Sequence, residues 1–224
     1  MATNKWRTSE DVRAQHGLIG PNAILQMLPV LDQVLGPTRR KEIVAACGLR
    51  SIPDGTHMIP EADAARLHAQ VRREAPRLAA FLSQLAGTAT ARYILRNRIP
   101  RPAQMLLKVL PAGVSAKLLS QAIEKHAWTF AGSGQFHVVD PMTFEIIDNP
   151  LIKGETANHA LCHWHRAVFA RLYSELVAPG MACEEVSCAA QGGRRCLFQL
   201  HPRPPAVIAG QNMTQIKAGL SEAQ

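Results

Sequence analysis

Aromatic side chains are scarce in this sequence: they make up 5% of the 224 residues, although 47% of the residues are hydrophobic. Alanine and leucine supply most of the apolar content, and both favour helices over an all-β fold. The length and the apolar fraction together allow one domain of ordinary size, with or without a helical extension.

Acidic residues are also in the minority, with 17 Asp and Glu against 25 Lys and Arg, which gives a formal net charge of +8. A basic surface can attract nucleic acid, anionic lipid or an acidic small molecule. The cations are spread along the chain in pairs, and no helix has the pattern of a basic recognition helix. We therefore interpret them as a solvated surface and expect no nucleic-acid partner.

Long apolar runs are missing as well. Residues 1–19 are polar and lack the apolar segment of a secretory signal. No run approaches the roughly 20 apolar residues of a membrane helix. We expect a cytoplasmic protein without a transmembrane segment, with peripheral attachment to a membrane left open. Five cysteines in that setting argue against a disulfide framework.

Short motifs for common redox cofactors are absent. No G-x-G-x-x-G follows a predicted strand, no Walker-type loop is present, and the cysteine spacing does not match an iron–sulfur run. A flavin site has no short sequence signature, so the absence of these motifs says nothing about flavin binding. The pattern favours a binding module over a self-sufficient oxidoreductase.

Helical periodicity dominates the first 126 residues. Prolines and glycines mark the breaks, for example Gly36-Pro37 and the interruption at Pro111 and Gly113. The predicted helices cover about 21–35, 38–47, 60–74, 76–98 and 103–126.

Alternating β-type patterns begin after residue 126. They predict strands at 128–139, 143–147, 181–188 and 195–201, and a helix at 156–177. This order indicates an α+β fold: a helical N-terminal half and an antiparallel sheet built from hairpins, with helices packed on one side. We divide the chain into a polar segment 1–19, a single ligand-binding domain 20–201 (a helical part 20–126 and a core 127–201) and a flexible tail 202–224.

Three potential metal ligands fall within the final predicted hairpin. Glu185 and Cys188 lie at the end of one strand, and Cys196 lies at the start of the next, across the Gly192-Gly193 turn. Converging thiolates with one carboxylate suit Zn²⁺. Cys162 on the preceding helix is a candidate fourth ligand, with His163 and His165 as rivals. Ordinary buried thiols are the alternative, and spacing alone leaves both interpretations open.

The same segment resembles the vinyl-4-reductase domain, whose fold is similar to that of a subunit family of vesicle-tethering complexes. The resemblance is carried by Asn149-Pro150, Cys162 and the hairpin pattern Glu185-x-x-Cys188-x-x-x-Gly192-x-x-x-Cys196-x-Phe198. In phenol-sensing members of that family, such residues hold a zinc ion. The resemblance implies a structural zinc site made by Cys162, Glu185, Cys188 and Cys196. Cys47 and Cys183 match no ligand and are expected to be packing residues.

Over its whole length, the chain resembles those members of the family that act in bacteriochlorophyll biosynthesis. It implies a protein that binds a chlorophyll precursor, divinyl protochlorophyllide or an Mg-porphyrin, and supports C8-vinyl reduction as a carrier or accessory factor. Two alternatives stay open: that the chain is itself the 8-vinyl (4-vinyl) protochlorophyllide reductase, and that it is a small-molecule-sensing module. Partners would then be the tetrapyrrole, other pigment-biosynthesis enzymes and, through the helical half, a second copy of the chain.

A tetrapyrrole is flat, largely apolar and anionic at its carboxylate, so its site needs an apolar slot, a basic rim and, for a central Mg²⁺, a histidine. Side chains of suitable type lie on the first hairpin and on the following helix. The candidate ligand-binding residues are His137, Trp128, Phe136, His163 and Trp164. Each of them is also compatible with an ordinary core or surface role.

Overall fold

Helices make up most of the chain before residue 132 in the computed structural model, which describes residues 17–203. The helices are α1 (Asn22–Leu25), α2 (Met27–Leu35), α3 (Pro37–Ala46), α4 (Glu61–Glu74), α5 (Ala79–Asn97), α6 (Arg101–Val109), α7 (Ala112–Lys125) and α8 (Trp128–Ala131). Two short strands, β1 (Leu18–Ile19) and β2 (Ile59–Pro60), pair antiparallel within this half. The helical N-terminal half is therefore confirmed.

Prolines account for two helix boundaries in this half, one that was not predicted and one that was. The predicted helix 21–35 is divided at Gln26. Pro29 lacks the N–H that would bond to Leu25, and its ring crowds that carbonyl, so one continuous helix is disfavoured there. The break predicted at Pro111 is present, because α6 ends at Val109 and α7 begins at Ala112.

The second half contains a four-stranded antiparallel sheet and one long helix. Its elements are β3 (Gln135–Asp140), β4 (Thr143–Ile147), α9 (His163–Leu176), β5 (Met181–Ser187) and β6 (Arg195–Pro202), with short 3₁₀ turns at Pro150–Ile152 and Ala189–Gln191. The strand order is β3-β4-β6-β5. The predicted hairpins are present, and the α+β fold class is confirmed.

Two predicted boundaries in this half were wrong. Trp128–Ala131 is a short helix, so the first hairpin begins at Gln135 and not at Trp128. The alternation of Trp128 and Phe130 with smaller residues imitates a strand, but Gly132 reverses the chain with a φ of 58°. The predicted helix 156–177 begins at His163, because the preceding loop is held to the hairpin turn by the bond from the Ala157 amide to the Ala190 carbonyl.

The scarce aromatic residues gather in one layer between α9 and the sheet. Five of the six phenylalanines lie there, with Tyr173 and His165 of α9 among them. Those five are Phe130, Phe136, Phe144, Phe169 and Phe198. Edge-to-face contacts, such as the 5.1 Å between the rings of Phe144 and Phe169, stabilise this layer beyond simple burial of area.

Helix α9 is enclosed between the sheet and the helical half. It packs tightly against α5 at Gly87, where a Cβ atom would lie 2.9 Å from Ala167 Cβ and closer still to the Trp164 carbonyl oxygen. Glycine is therefore required by this backbone contact. Among residues 17–203, no helix combines the length and the apolarity needed to span a bilayer.

Candidate metal centre

A β-bulge in β5 positions two of the four predicted ligands. Glu185 pairs with Phe198, whereas Ser187 pairs with Leu197, so the register shifts by one residue at Val186. Residues directly opposite in an antiparallel pair share a face, which places Glu185 on the inner face with Phe198. The extra residue then changes the alternation, so that buried Cys188 also reaches the inner side.

Cys196 and Cys162 approach the same point from the neighbouring strand and from the helix. Cys196 lies on the inner face of β6, opposite Ile146 of β4, and is fully buried. Cys162 lies at the N-cap of α9 rather than within its first turns. Its backbone N–H donates to Glu185 Oε2 at 2.9 Å, so the carboxylate caps the helix and compensates its positive end.

These four residues form a compact group of ligand atoms. The sulfurs of Cys162, Cys188 and Cys196 and a carboxylate oxygen of Glu185 all lie within 4.8 Å of one another. The Cys162 and Cys196 sulfurs are 3.3 Å apart. Glu185 Oε1 is buried and has no hydrogen-bond partner among the described residues. Three soft sulfurs and an unpaired carboxylate oxygen at this separation fit a tetrahedral zinc ion.

The surrounding donors also suit thiolates. Asn149 Nδ2 lies 3.3 Å from Cys162 Sγ and 3.9 Å from Cys196 Sγ. Donors aimed at sulfur stabilise the charged form and orient metal-binding side chains.

The pKa values of the four side chains are shifted because several acidic groups are crowded together in a buried space. Burial raises the pKa of the Glu185 carboxyl to about 7 and that of the Cys162 thiol well above its usual value. Hydrogen bonds from the Cys162 and Cys196 thiols lower the pKa of Cys188. A dication held by the group would favour deprotonation of all four side chains.

The other predicted residues lie in different surroundings. His163 and His165 are not members of the group, and Cys183 is buried apart from it. Cys47 is buried in the helical half, with its sulfur bonded to the Val44 carbonyl. Arg195, at the start of β6, pairs with Glu145 at 2.5 Å on the outer face of the sheet.

Asn149 is the site residue whose role sequence reasoning missed. The Asn149-Pro150 pair belongs to the motif that carries the family resemblance, but the sequence pattern assigns it no role at the site. In the structure, Asn149 Oδ1 accepts from the Leu151 amide while its Nδ2 faces the two sulfurs. A buried asparagine beside a proline, inside a cysteine-containing motif, was the available signal.

A cavity of about 450 Å³ opens beside the metal-ligand group. Asn149, Ala189 and Gly193 line its inner part, and Lys153 and Arg194 supply cations. None of the five predicted pigment ligands lines it. The cavity is therefore a polar neighbour of the metal centre and not the apolar slot that a tetrapyrrole ring requires.

The five predicted pigment ligands do not lie together. His137 is exposed on the outer face of β3, opposite Glu145, while its neighbour Phe136 is buried in the aromatic layer, so these two cannot line one pocket. Trp128 is half-buried on α8. His163 and Trp164 directly follow Cys162, a candidate metal ligand, at the start of α9.

The start of α9 contains two buried polar atoms without partners in the described chain: Trp164 Nε1 and His163 Nδ1. The Trp164 indole is 4% exposed and lies edge-on to His68 of α4, with ring centres 6.2 Å apart. Burial lowers the pKa of His163 to about 4, so its imidazole is neutral at physiological pH.

Comparison with known proteins agrees with the resemblance noted above. Residues 142–202 match the model of the vinyl-4-reductase domain. Over 187 residues, the chain is 48% identical to the bacteriochlorophyll synthase 23 kDa chain of Cereibacter sphaeroides, covering 83% of this chain and 91% of that one. It is 46% identical to the protein of the same name in Rhodobacter capsulatus, covering 83% and 87%.

Solved structures with a similar fold include H-NOX proteins. An H-NOX protein from K. algicida aligns with a TM-score of 0.55 at 11% identity, covering 84% of this chain and 98% of that one. An H-NOX structure from a study of heme distortion aligns with a TM-score of 0.50 at 11% identity, covering 84% and 96%. Such low identity supports the fold alone.

The sequence matches extend over most of the chain and include both halves of the fold, whereas the domain match covers β4, α9, β5 and β6. The chain therefore belongs to the family of vinyl-4-reductase-domain proteins that includes the bacteriochlorophyll synthase 23 kDa chains.

Proposed function

We propose that this protein binds a tetrapyrrole precursor of bacteriochlorophyll and supports reduction of its C8-vinyl group as a carrier or accessory factor. The names of the two relatives support a role in bacteriochlorophyll biosynthesis. The observation that carries the binding proposal is the pair of unpaired buried polar atoms, Trp164 Nε1 and His163 Nδ1, at the start of α9.

A buried donor or acceptor without a partner costs about 1–3 kcal/mol of stability, so a native fold that retains two of them at consecutive positions of one helix favours ligand atoms that complete them. The indole N–H of Trp164 suits an oxygen of the pigment. The neutral imidazole of His163 suits a central Mg²⁺ or a polar substituent.

The fold supports the same ligand class. The H-NOX structure from the study of heme distortion shares this architecture, so the architecture is compatible with a tetrapyrrole. At 11% identity, no site residue is carried across, and the contacts proposed for Trp164 and His163 depend on this chain alone.

Cys162, Glu185, Cys188 and Cys196 are proposed to hold a structural zinc ion. The three cysteines are at most 3% exposed, and four protein ligands leave no position open for water. When bound, the ion supplies a cross-link and little Lewis acidity, because three thiolates and a carboxylate exceed its charge. Cys162 fixes the start of α9 to the β5–β6 hairpin, and that start contains Trp164 and His163.

Absorption spectroscopy tests pigment binding. Titration with Mg-protoporphyrin should shift the Soret band and quench tryptophan fluorescence. Trp164→Phe removes the N–H and keeps an aromatic ring, so it should weaken the affinity about tenfold, as expected for one lost hydrogen bond in a buried site. Tyr93→Phe, which removes a donor from the distant part of α5, is the matched control and should bind normally.

A flat titration up to tens of micromolar, equivalent to binding weaker than about −6 to −7 kcal/mol, would contradict the carrier proposal. Incubation of the purified protein with divinyl protochlorophyllide, with and without NADPH, addresses the reductase alternative. We expect no monovinyl product without a partner enzyme that supplies the hydride. Product formed by this chain alone would favour the reductase.

A further inference from the structure

Helices α6 and α7 expose an unusual amount of apolar surface. Five of the ten large hydrophobic side chains that are exposed in the described chain lie within fourteen residues of one another. They are Met105, Leu106, Val109, Val114 and Leu118, called here the α6–α7 face. Val109 is 80% exposed and Met105 is 69% exposed. A contiguous set of this kind marks a contact surface rather than incidental exposure.

The exposure is built into the packing of the two helices. Leu107, on the opposite side of α6, is buried. The Gln104 amide donates to the carbonyls of Leu95 and Ile99, and the Ser115 hydroxyl donates to the Leu107 carbonyl at 2.6 Å. These bonds fix the rotation of α6, so its apolar stripe is held outward.

The sequence segment that forms this face contains charges of one sign only. No Asp or Glu occurs between Arg98 and Ile123, while four cations do: Arg98, Arg101, Lys108 and Lys117. Lys108 is paired with Glu175 of α9, and the other three form no ion pair within the described residues 17–203. The face therefore combines exposed apolar side chains with three cations that have no ion-pair partner among the described residues.

We propose that the α6–α7 face binds the surface of an anionic lipid bilayer. Apolar side chains on an amphipathic helix enter the boundary between headgroups and acyl chains, and flanking Lys and Arg are attracted to anionic headgroups. A two-fold contact with a second copy is disfavoured, because it would place the same cations against each other. If the face instead binds a protein partner with an apolar, acidic surface, this protein should fail to bind vesicles.

Flotation of the full-length protein with phosphatidylcholine vesicles, with and without phosphatidylglycerol, tests the proposal. We expect partition onto the vesicles that contain phosphatidylglycerol and its decrease with salt. Val109→Ser with Leu106→Ser should lower the partition coefficient about tenfold. Lys117→Gln should lower it about fivefold. All of these side chains are exposed, so the melting temperature should not change.

Two matched controls make the result specific. Val139→Ser removes an exposed valine from the edge strand β3, and Lys41→Gln removes an exposed cation from α3. Both should leave partition unchanged. Absence of partition by the full chain would overturn the proposal, as would equal losses in the control variants or a change of oligomeric state in Val109→Ser. Vesicles without pigment are used, so the result is independent of pigment binding.

Discussion

Replacement of Gly87 by alanine tests the tight contact between the helical half and α9. A Cβ at this position meets Ala167 Cβ at 2.9 Å and lies closer still to the Trp164 carbonyl oxygen. The carbonyl belongs to the backbone of α9, so it cannot move without displacing the helix that contains Trp164 and follows Cys162.

Two effects of this substitution oppose each other. Alanine gains about 0.5–1 kcal/mol over glycine inside a helix. Overpacking against a fixed backbone costs about 1–3 kcal/mol or more. The clash prevails, and we expect a net loss of about 2 kcal/mol, which corresponds to a fall of about 4–8 °C in melting temperature for a domain of this size.

Thermal and urea unfolding followed by circular dichroism measure this loss. Gly113→Ala is the matched control, because Gly113 also lies in a helix and a Cβ there meets nothing within 4 Å. The control should be neutral or slightly stabilising. If Gly87→Ala were as stable as Gly113→Ala, the close packing of α5 on α9 would be refuted.

Three further substitutions test the buried polar groups. Burial lowers the pKa of His68 to about 3 and that of His165 to about 4, below the value of 6.5 in the unfolded chain. As the pH falls below 6.5, the unfolded state takes up protons before the folded state does, so the protein loses stability. His165→Gln should reduce that slope by about 1.4 kcal/mol per pH unit in urea titrations. Asn149→Asp should weaken zinc affinity about 10–100-fold in chelator competition, whereas the exposed Asn158→Asp should not; equal affinities would remove Asn149 from the site. Glu185→Gln should weaken zinc retention and pigment binding together, and a variant that kept its zinc but lost only a vinyl-reduction rate would make the site catalytic.

Much of the architecture could be predicted because its signals are local. Alternation in Thr143–Ile147 and the Gly192-Gly193 turn indicated the hairpins, and Pro111 indicated the break between α6 and α7. The grouping of Cys162 with the hairpin depended on the family resemblance, since spacing alone did not separate metal ligands from buried thiols.

The remainder depends on tertiary contacts that leave no local pattern. The bulge at Val186, which turns both Glu185 and Cys188 inward, is a feature of the pairing with β6. The start of α9 at His163 depends on Glu185 accepting the Cys162 amide from another strand. For the same reason, the exposure of His137 and the burial of Trp164 could not be anticipated from their residue types.

The metal content of freshly isolated, unchelated protein tests the central claim most directly. We expect about one zinc per chain in the wild type and in Cys183→Ser, a buried cysteine outside the group, and loss of zinc in Cys196→Ser together with several kcal/mol of stability. A wild-type protein without zinc, or a Cys183→Ser variant that loses it, would contradict the metal centre described for Cys162, Glu185, Cys188 and Cys196.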